Sequence, residues 1–237
     1  MATGGVVRQT IVRLFSRPLA AWEYRFKPEL RDPFGGPFNG QKGRQASFLE
    51  VARLLDATGV VETGTFRGST TEFMAERTNL PVWTVEARLR FYHFARIRLA
   101  QLPNVRISLN DSRTFLNRLA VDPSIPKRRV FFYLDAHWYE DLPLREEVAT
   151  ITKYWTDIAI MVDDFKVPGD PHYQFDDYGD GRTLSLDYLG PLAQRGLTAF
   201  FPTLPATDET GMRRGSVVLA DGPAVSRLAS AKTLTRA

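Results

Sequence analysis

The 237-residue sequence contains no cysteine. Disulfides, thiolate-held zinc, iron–sulfur clusters and thiol nucleophiles are therefore excluded, and oxygen or imidazole groups are left as metal ligands. Histidine is scarce, at three residues, which leaves few side chains that titrate near neutral pH. Long apolar runs are missing as well: no stretch reaches the roughly 18 residues that a spanning helix needs. At the N-terminus Arg8, Arg13 and Arg17 interrupt any apolar core of signal-peptide type. The expectation is a cytoplasmic protein without a transmembrane segment. Glycine, at 17 residues, and proline, at 15, stand near average usage, which argues against disorder and low complexity.

What is present suits one ordinary globular domain, with 43% hydrophobic residues and a net charge of +4. The charge is uneven. Residues 1–31 hold six basic residues against Glu23 and Glu29, and the segment after Asp221 adds Arg227, Lys232 and Arg236 with no acid. The body between them is slightly acidic, so nucleic acid is not expected as a partner. Val7, Ile11, Leu14 and Phe15 share a helical face. Such a face fits a transit segment, a membrane-surface helix or a docking helix. The favoured reading is a helix packed on its own domain or on a partner subunit, which makes the arm a place for homo-oligomer formation.

Residues 32–44 are dense in turn formers. They divide a basic arm and loop (1–44) from a domain (45–221), with a basic tail (222–237) beyond. Ser47 and Glu50 have capping-box spacing ahead of the apolar face Phe48, Val51, Leu54 and Leu55. Strand-like runs then alternate with helical ones: strands at 60–63, 81–86, 104–109, 130–135 and 158–163, helices at 69–77, 88–101, 112–120 and 143–155. That alternation specifies right-handed crossovers and a doubly wound α/β domain with a mostly parallel sheet. Val130–Leu134 and Ile158–Val162 are continuously apolar, as strands covered on both faces must be. The polar stretch 165–185 is long for a connection and reads as a lid or substrate-binding segment. Two late strands follow, at 197–201 and 216–219.

The segment from Val60 to Glu72 runs from a strand through Glu62, Gly64, Thr65 and Gly68 into a helix opened by Ser69 and Glu72, a second capping box. The helix amides would face a carboxylate or phosphate, and glycine would let a ligand lie against the backbone. The spacing is not that of the dinucleotide fingerprint G-x-G-x-x-G. Glu86 closes the next strand, where a carboxylate can accept hydrogen bonds from ribose hydroxyls. Asp111 and Ser112 end the third strand, placed for an adenine amino group or for helix capping. At these residues the sequence resembles class I S-adenosylmethionine-dependent methyltransferases, whose turn reads E-x-G-x-x-x-G followed by an acid closing the next strand. The likeness covers about residues 40–220. It implies a Rossmann-like seven-stranded sheet in the order 3-2-1-4-5-7-6 with the last strand antiparallel. S-adenosylmethionine would lie with Glu62, Gly64, Thr65, Gly68 and Ser69 about its methionine part, Glu86 at the ribose, and Asp111 with Ser112 near adenine.

The fourth strand ends Asp135-Ala136-His137-Trp138 and the fifth ends Asp163-Asp164. In an open α/β sheet these ends flank the crevice at the topological switch, and three carboxylates suit a hard divalent cation such as Mg²⁺. This part is similar to metal-dependent small-molecule O-methyltransferases of the catechol and macrolide-sugar types. The similarity implies Asp135, Asp163 and Asp164 as metal ligands, with Asp135 also catalytic. The lysine base of the catechol type has no counterpart here; His137, as in the sugar-modifying relatives, is the candidate base. The expected function is O-methylation of a hydroxylated small molecule, a sugar or secondary metabolite. The alternatives are a hydroxylase of an antibiotic-type pathway on the same fold, or a non-catalytic binding protein. His93 reads as a surface or packing residue, His172 as a pocket candidate in the long loop, and Trp138 and Tyr139 as packing against acceptor or core.

Overall fold

Five-residue runs form the sheet of the computed structural model, which describes residues 3–137, 141–190 and 196–237, with side chains from residue 15 onward. Trp138 and Tyr139 lie outside the described residues, as do the side chains of Val7, Ile11 and Leu14. The strands are β1 (Gly59–Thr63), β2 (Val82–Glu86), β3 (Val105–Leu109), β4 (Val130–Leu134), β5 (Ala159–Asp163), β6 (Thr198–Pro202), β7 (Ser216–Ala220) and β8 (Leu234–Arg236). Their order is β3-β2-β1-β4-β5-β7-β6-β8. The first five are parallel, and β7 runs antiparallel to both β5 and β6. This is the doubly wound sheet expected, with one strand more. The eighth strand comes from the segment read as a tail. There α8 (Gly222–Leu228) leads to β8, which pairs with β6, and Leu228 and Leu234 are buried in the core. The charge bias of 222–237 is thus the surface of a packed segment.

Alternation along each strand sends neighbouring side chains to opposite faces. Phe132, Leu134, Ile160 and Val162 pack on one side with Leu116 of α5 (Ser112–Val121) and with Val148 and Ile151 of α6 (Leu144–Tyr154). Phe131, Tyr133 and Met161 pack on the other with Phe48, Val51 and Leu55 of α2 (Lys42–Leu55) and Met74 of α3 (Ser69–Thr78). Burial on both faces explains why β1, β4 and β5 are covered along their whole length.

Both expected capping boxes give way to tertiary partners. Helix α2 begins at Lys42, so Ser47 lies inside it and its hydroxyl donates to Gly43 O at 3.0 Å. The α2 N-terminus is met by the Glu209 carboxylate, which accepts from the Gly43 and Arg44 amides at 2.9 and 3.1 Å. Glu50 accepts from the Lys232 and Thr233 amides ahead of β8. Helix α3 starts after Gly68 in the left-handed region, and Glu72 pairs with Arg98.

Helix α1 (Thr3–Phe26) lies on α4 (Leu89–Arg98) of its own domain. Ser16, Ala20 and Glu23 are buried there, Tyr24 meets Phe94 edge-on at 5.3 Å, and Glu23 is ion-paired with Arg90. The turns that follow are anchored by Phe38, which is buried against Phe48, Phe73 and Tyr133. No described helix is long and apolar enough to cross a membrane.

Candidate functional site

The carboxyl ends of β1 to β5 open into a cleft of about 610 Å³, at the switch between β1 and β4 where such sheets bind ligands. One half is lined by Gly64, Thr65, Phe66, Ser69, Glu86, Asp111 and Ser112, the other by Asp135, His137, Asp164, Asp176 and Arg214.

The glycines of the turn have packing reasons of their own. Gly64 has φ +91°, and a Cβ there would stand 2.2 Å from the Asp135 carbonyl oxygen. The missing side chain admits the continuation of β4, whose Asp135 amide donates to Thr63 O at 2.9 Å. Gly68 lies outside the cleft lining: its Cβ position is 3.4 Å from Ala95 and Leu99, so it serves the packing of α3 on α4. Glu62 leaves the cofactor set too. It is fully buried beneath the turn, where its Oε2 accepts from the Thr71 and Thr84 hydroxyls at 2.5 and 2.6 Å. Burial, outweighing those two hydrogen bonds, pushes its pKa up to about 7.

Glu86 stays at the cleft and ties the two loops together. Its Oε2 accepts from the Phe66 amide and its Oε1 from the Arg88 amide, both at 2.7 Å. Each oxygen keeps a further lone pair for a ligand hydroxyl. Burial raises its pKa against those hydrogen bonds. Asp111 caps α5, accepting from the Arg113 and Thr114 amides at 3.0 and 3.4 Å, and the Arg113 guanidinium holds its carboxyl below the ordinary range.

At the other half, ligand atoms of Asp135, His137 and Asp164 lie within 4.8 Å of one another. His137 Nε2 is 4.0 Å from Asp135 Oδ1, 3.8 Å from Asp164 Oδ2 and 4.0 Å from Asp176 Oδ2. It is buried and hydrogen-bonded to none of them. A buried ring nitrogen facing three carboxylates at these spacings fits a shared cation, and two carboxylates with an imidazole suit a divalent metal ion. Burial would lower the His137 pKa, but Asp164 and Asp135 raise it overall. Burial raises that of Asp135, whereas His137 and Arg214 hold Asp164 well down despite its burial.

Asp163, expected among the metal ligands, faces away. It is ion-paired with the buried Arg44 of α2 and accepts from the Tyr133 hydroxyl at 2.6 Å. The reason is the strand alternation: Asp163 ends β5 pointing to the α2 face, and Asp164, with φ +53°, turns the next carboxylate into the cleft. His137 takes the third place. Asp176 and Arg214 were not singled out from the sequence. The Arg214 guanidinium joins Asp164, at 2.6 Å, to Asp176, and Tyr178 donates to Asp176 at 2.7 Å. Their signals were the acidic run Asp176-Asp177 in the long loop and the position of Arg214 just ahead of β7, whose Ser216 pairs with Asp163. The loop is fixed by Gln174, which donates to Arg213 O and accepts from the Gly215 amide. His172 is exposed and does not line the cleft.

No family model matches the sequence, and no curated protein matches it. Solved structures do match. The O-methyltransferase TomG from Streptomyces achromogenes, involved in tomaymycin synthesis and solved with S-adenosylmethionine, is 19% identical over 92% of this chain and 96% of its own, with a TM-score of 0.54. CalS10 from Micromonospora echinaspora, an amino pentose methyltransferase involved in calicheamicin biosynthesis, also bound to S-adenosylmethionine, is 17% identical over 76% of this chain and 90% of its own, with a TM-score of 0.51. At such identities the likeness establishes the fold: this chain has that of the S-adenosylmethionine-dependent methyltransferases.

Proposed function

We propose that the protein is an S-adenosylmethionine-dependent O-methyltransferase with a divalent-cation site at Asp135, His137 and Asp164. Its acceptor is a hydroxylated small molecule, a sugar or secondary metabolite. The observation that carries this reading is the joining, in one cleft, of a half lined by Thr65, Glu86, Asp111 and Ser112 with an acidic centre around His137. TomG and CalS10 share the fold and bind the same methyl donor.

S-adenosylmethionine supplies an already activated methyl group, so the protein's work is alignment of the acceptor oxygen with it. Glu86 receives the ribose hydroxyls, Asp111 and Ser112 the adenine edge, and Thr65 with the open N-terminus of α3 at Ser69 borders the methionine end. Bound at Asp135, His137 and Asp164, a divalent cation would orient two substrate oxygens and lower the pKa of one hydroxyl, and with an imidazole in place of the third carboxylate Mn²⁺ suits the set better than the Mg²⁺ expected from the sequence. A nitrogen that ligates a metal ion is not free to accept a proton, so the base role expected for His137 passes to Asp176, the remaining carboxylate at the centre. Arg214 and Tyr178 hold Asp176 in place for it.

The test is S-adenosylhomocysteine release in a panel of sugar and phenol acceptors, with Mn²⁺, with Mg²⁺ and with chelator. Turnover that needs a divalent cation and is lost in Asp164→Asn is expected. Full turnover in chelator would remove the metal and return His137 to the base role. Oxygenated products in place of methylated ones would favour the hydroxylase.

A further inference from the structure

Helix α1 has a second face that no described residue covers. Phe15, Leu19, Trp22 and Phe26 follow one another at helical spacing and are exposed by 63, 39, 48 and 61%. Scattered surface apolar residues need no explanation, but four in one stripe, beside the Ser16, Ala20 and Glu23 face that packs on α4, do. The cationic groups of Arg25 and Lys27 lie over the rings of Phe26 and Trp22, at 5.6 and 5.2 Å. Glu23, the one acid in α1, is buried against Arg90. Helix α4 beneath contains no acid; its Arg90 is taken up by Glu23 and its Arg98 by Glu72 and Asp32, and Arg96 adds a further positive charge. His93 between the helices has its pKa lowered by burial and by Arg17 and Arg96.

We infer that α1 is a peripheral membrane anchor: it lies in the plane of an anionic lipid surface, its stripe in the acyl boundary, with Arg25 and Lys27 among the phosphates. An aromatic stripe flanked by basic side chains whose stems snorkel toward headgroups is what that interface selects. A second copy fits less well, because pairing two such faces brings Arg25 and Lys27 of each copy together with no free acid on α1 to offset them. Nucleic acid would meet the charges but not bury the stripe. Since no described helix can cross a bilayer, the association is reversible and salt-sensitive.

The experiment uses the full chain with extruded phosphatidylcholine vesicles, alone or with about one third phosphatidylglycerol, in co-sedimentation and tryptophan fluorescence. Binding to the anionic vesicles only, weaker at about 0.15 M salt than at low salt, with a blue shift, is expected. Trp22→Ser with Phe26→Ser should weaken partitioning by about tenfold or more, leaving circular dichroism and S-adenosylmethionine binding unchanged. Arg25→Gln with Lys27→Gln should weaken it on anionic vesicles. No sedimentation with either vesicle overturns the inference. So does light scattering that shows a dimer which the Trp22/Phe26 variant converts to a monomer, and so does nucleic-acid binding that the same variant leaves intact while vesicles fail to bind.

Discussion

Glu62→Gln separates two roles for an acid that the resemblance to methyltransferases would put at the methyl donor and the structure buries beneath the glycine turn. The buried carboxyl has its pKa raised from 4.5 to about 7. Below pH 4.5 it is protonated whether the chain is folded or not and adds no pH dependence. Between 4.5 and 7 the native state keeps a proton that the unfolded chain has released, so unfolding free energy falls as pH rises. Above 7 the loss is complete. At about 1.4 kcal/mol per pH unit, that interval amounts to about 3 kcal/mol. Glutamine is neutral throughout and still accepts from the Thr71 and Thr84 hydroxyls. The variant should match the wild type near pH 4.5 and exceed it at pH 8 by about 3 kcal/mol, on the order of 10 °C in melting temperature for a chain of this size. Urea and thermal denaturation at the two pH values measure this. Equal or lower stability of the variant at pH 8 would refute the buried-acid reasoning, and a marked loss of S-adenosylmethionine affinity would return Glu62 to the binding site.

Gly64→Ala should destabilise by about 1–3 kcal/mol or prevent folding, since its Cβ would stand 2.2 Å from the Asp135 carbonyl in a backbone held at positive φ; denaturation curves report it. Asp163→Ala and Asp164→Asn should divide along the two faces of β5. The first strands the buried Arg44 guanidinium and should cost about 3–5 kcal/mol of stability. The second gives up the ion pair with Arg214 but leaves that guanidinium its Asp176 partner, so it should cost less stability than the first while reducing Mn²⁺ affinity, read by calorimetry, by at least about tenfold. Similar metal affinities in the two variants would overturn that assignment.

The sheet was legible because β4 and β5, buried on both faces, must be continuously apolar, and such runs between helical segments admit few topologies. Glu86 and Asp111 were legible because strand ends place them at the crevice whatever the loops do. Asp163 was not. Adjacent carboxylates look equivalent in sequence; strand alternation sends Asp163 to the buried α2 face, where it meets Arg44, 119 residues away in the chain. Both capping boxes failed for a related reason: Glu209 and Arg98 are distant partners that outcompete the local pairing. The segment 222–237 was misread because its charge lies on the outside, whereas Leu228 and Leu234 fill the core.

Calorimetric titration of the full chain with S-adenosylmethionine tests the cleft most directly. Binding of one molecule per chain, weakened by about tenfold or more in Glu86→Ala, is the result the structure predicts. Absence of binding, or an affinity indifferent to Glu86, would contradict it.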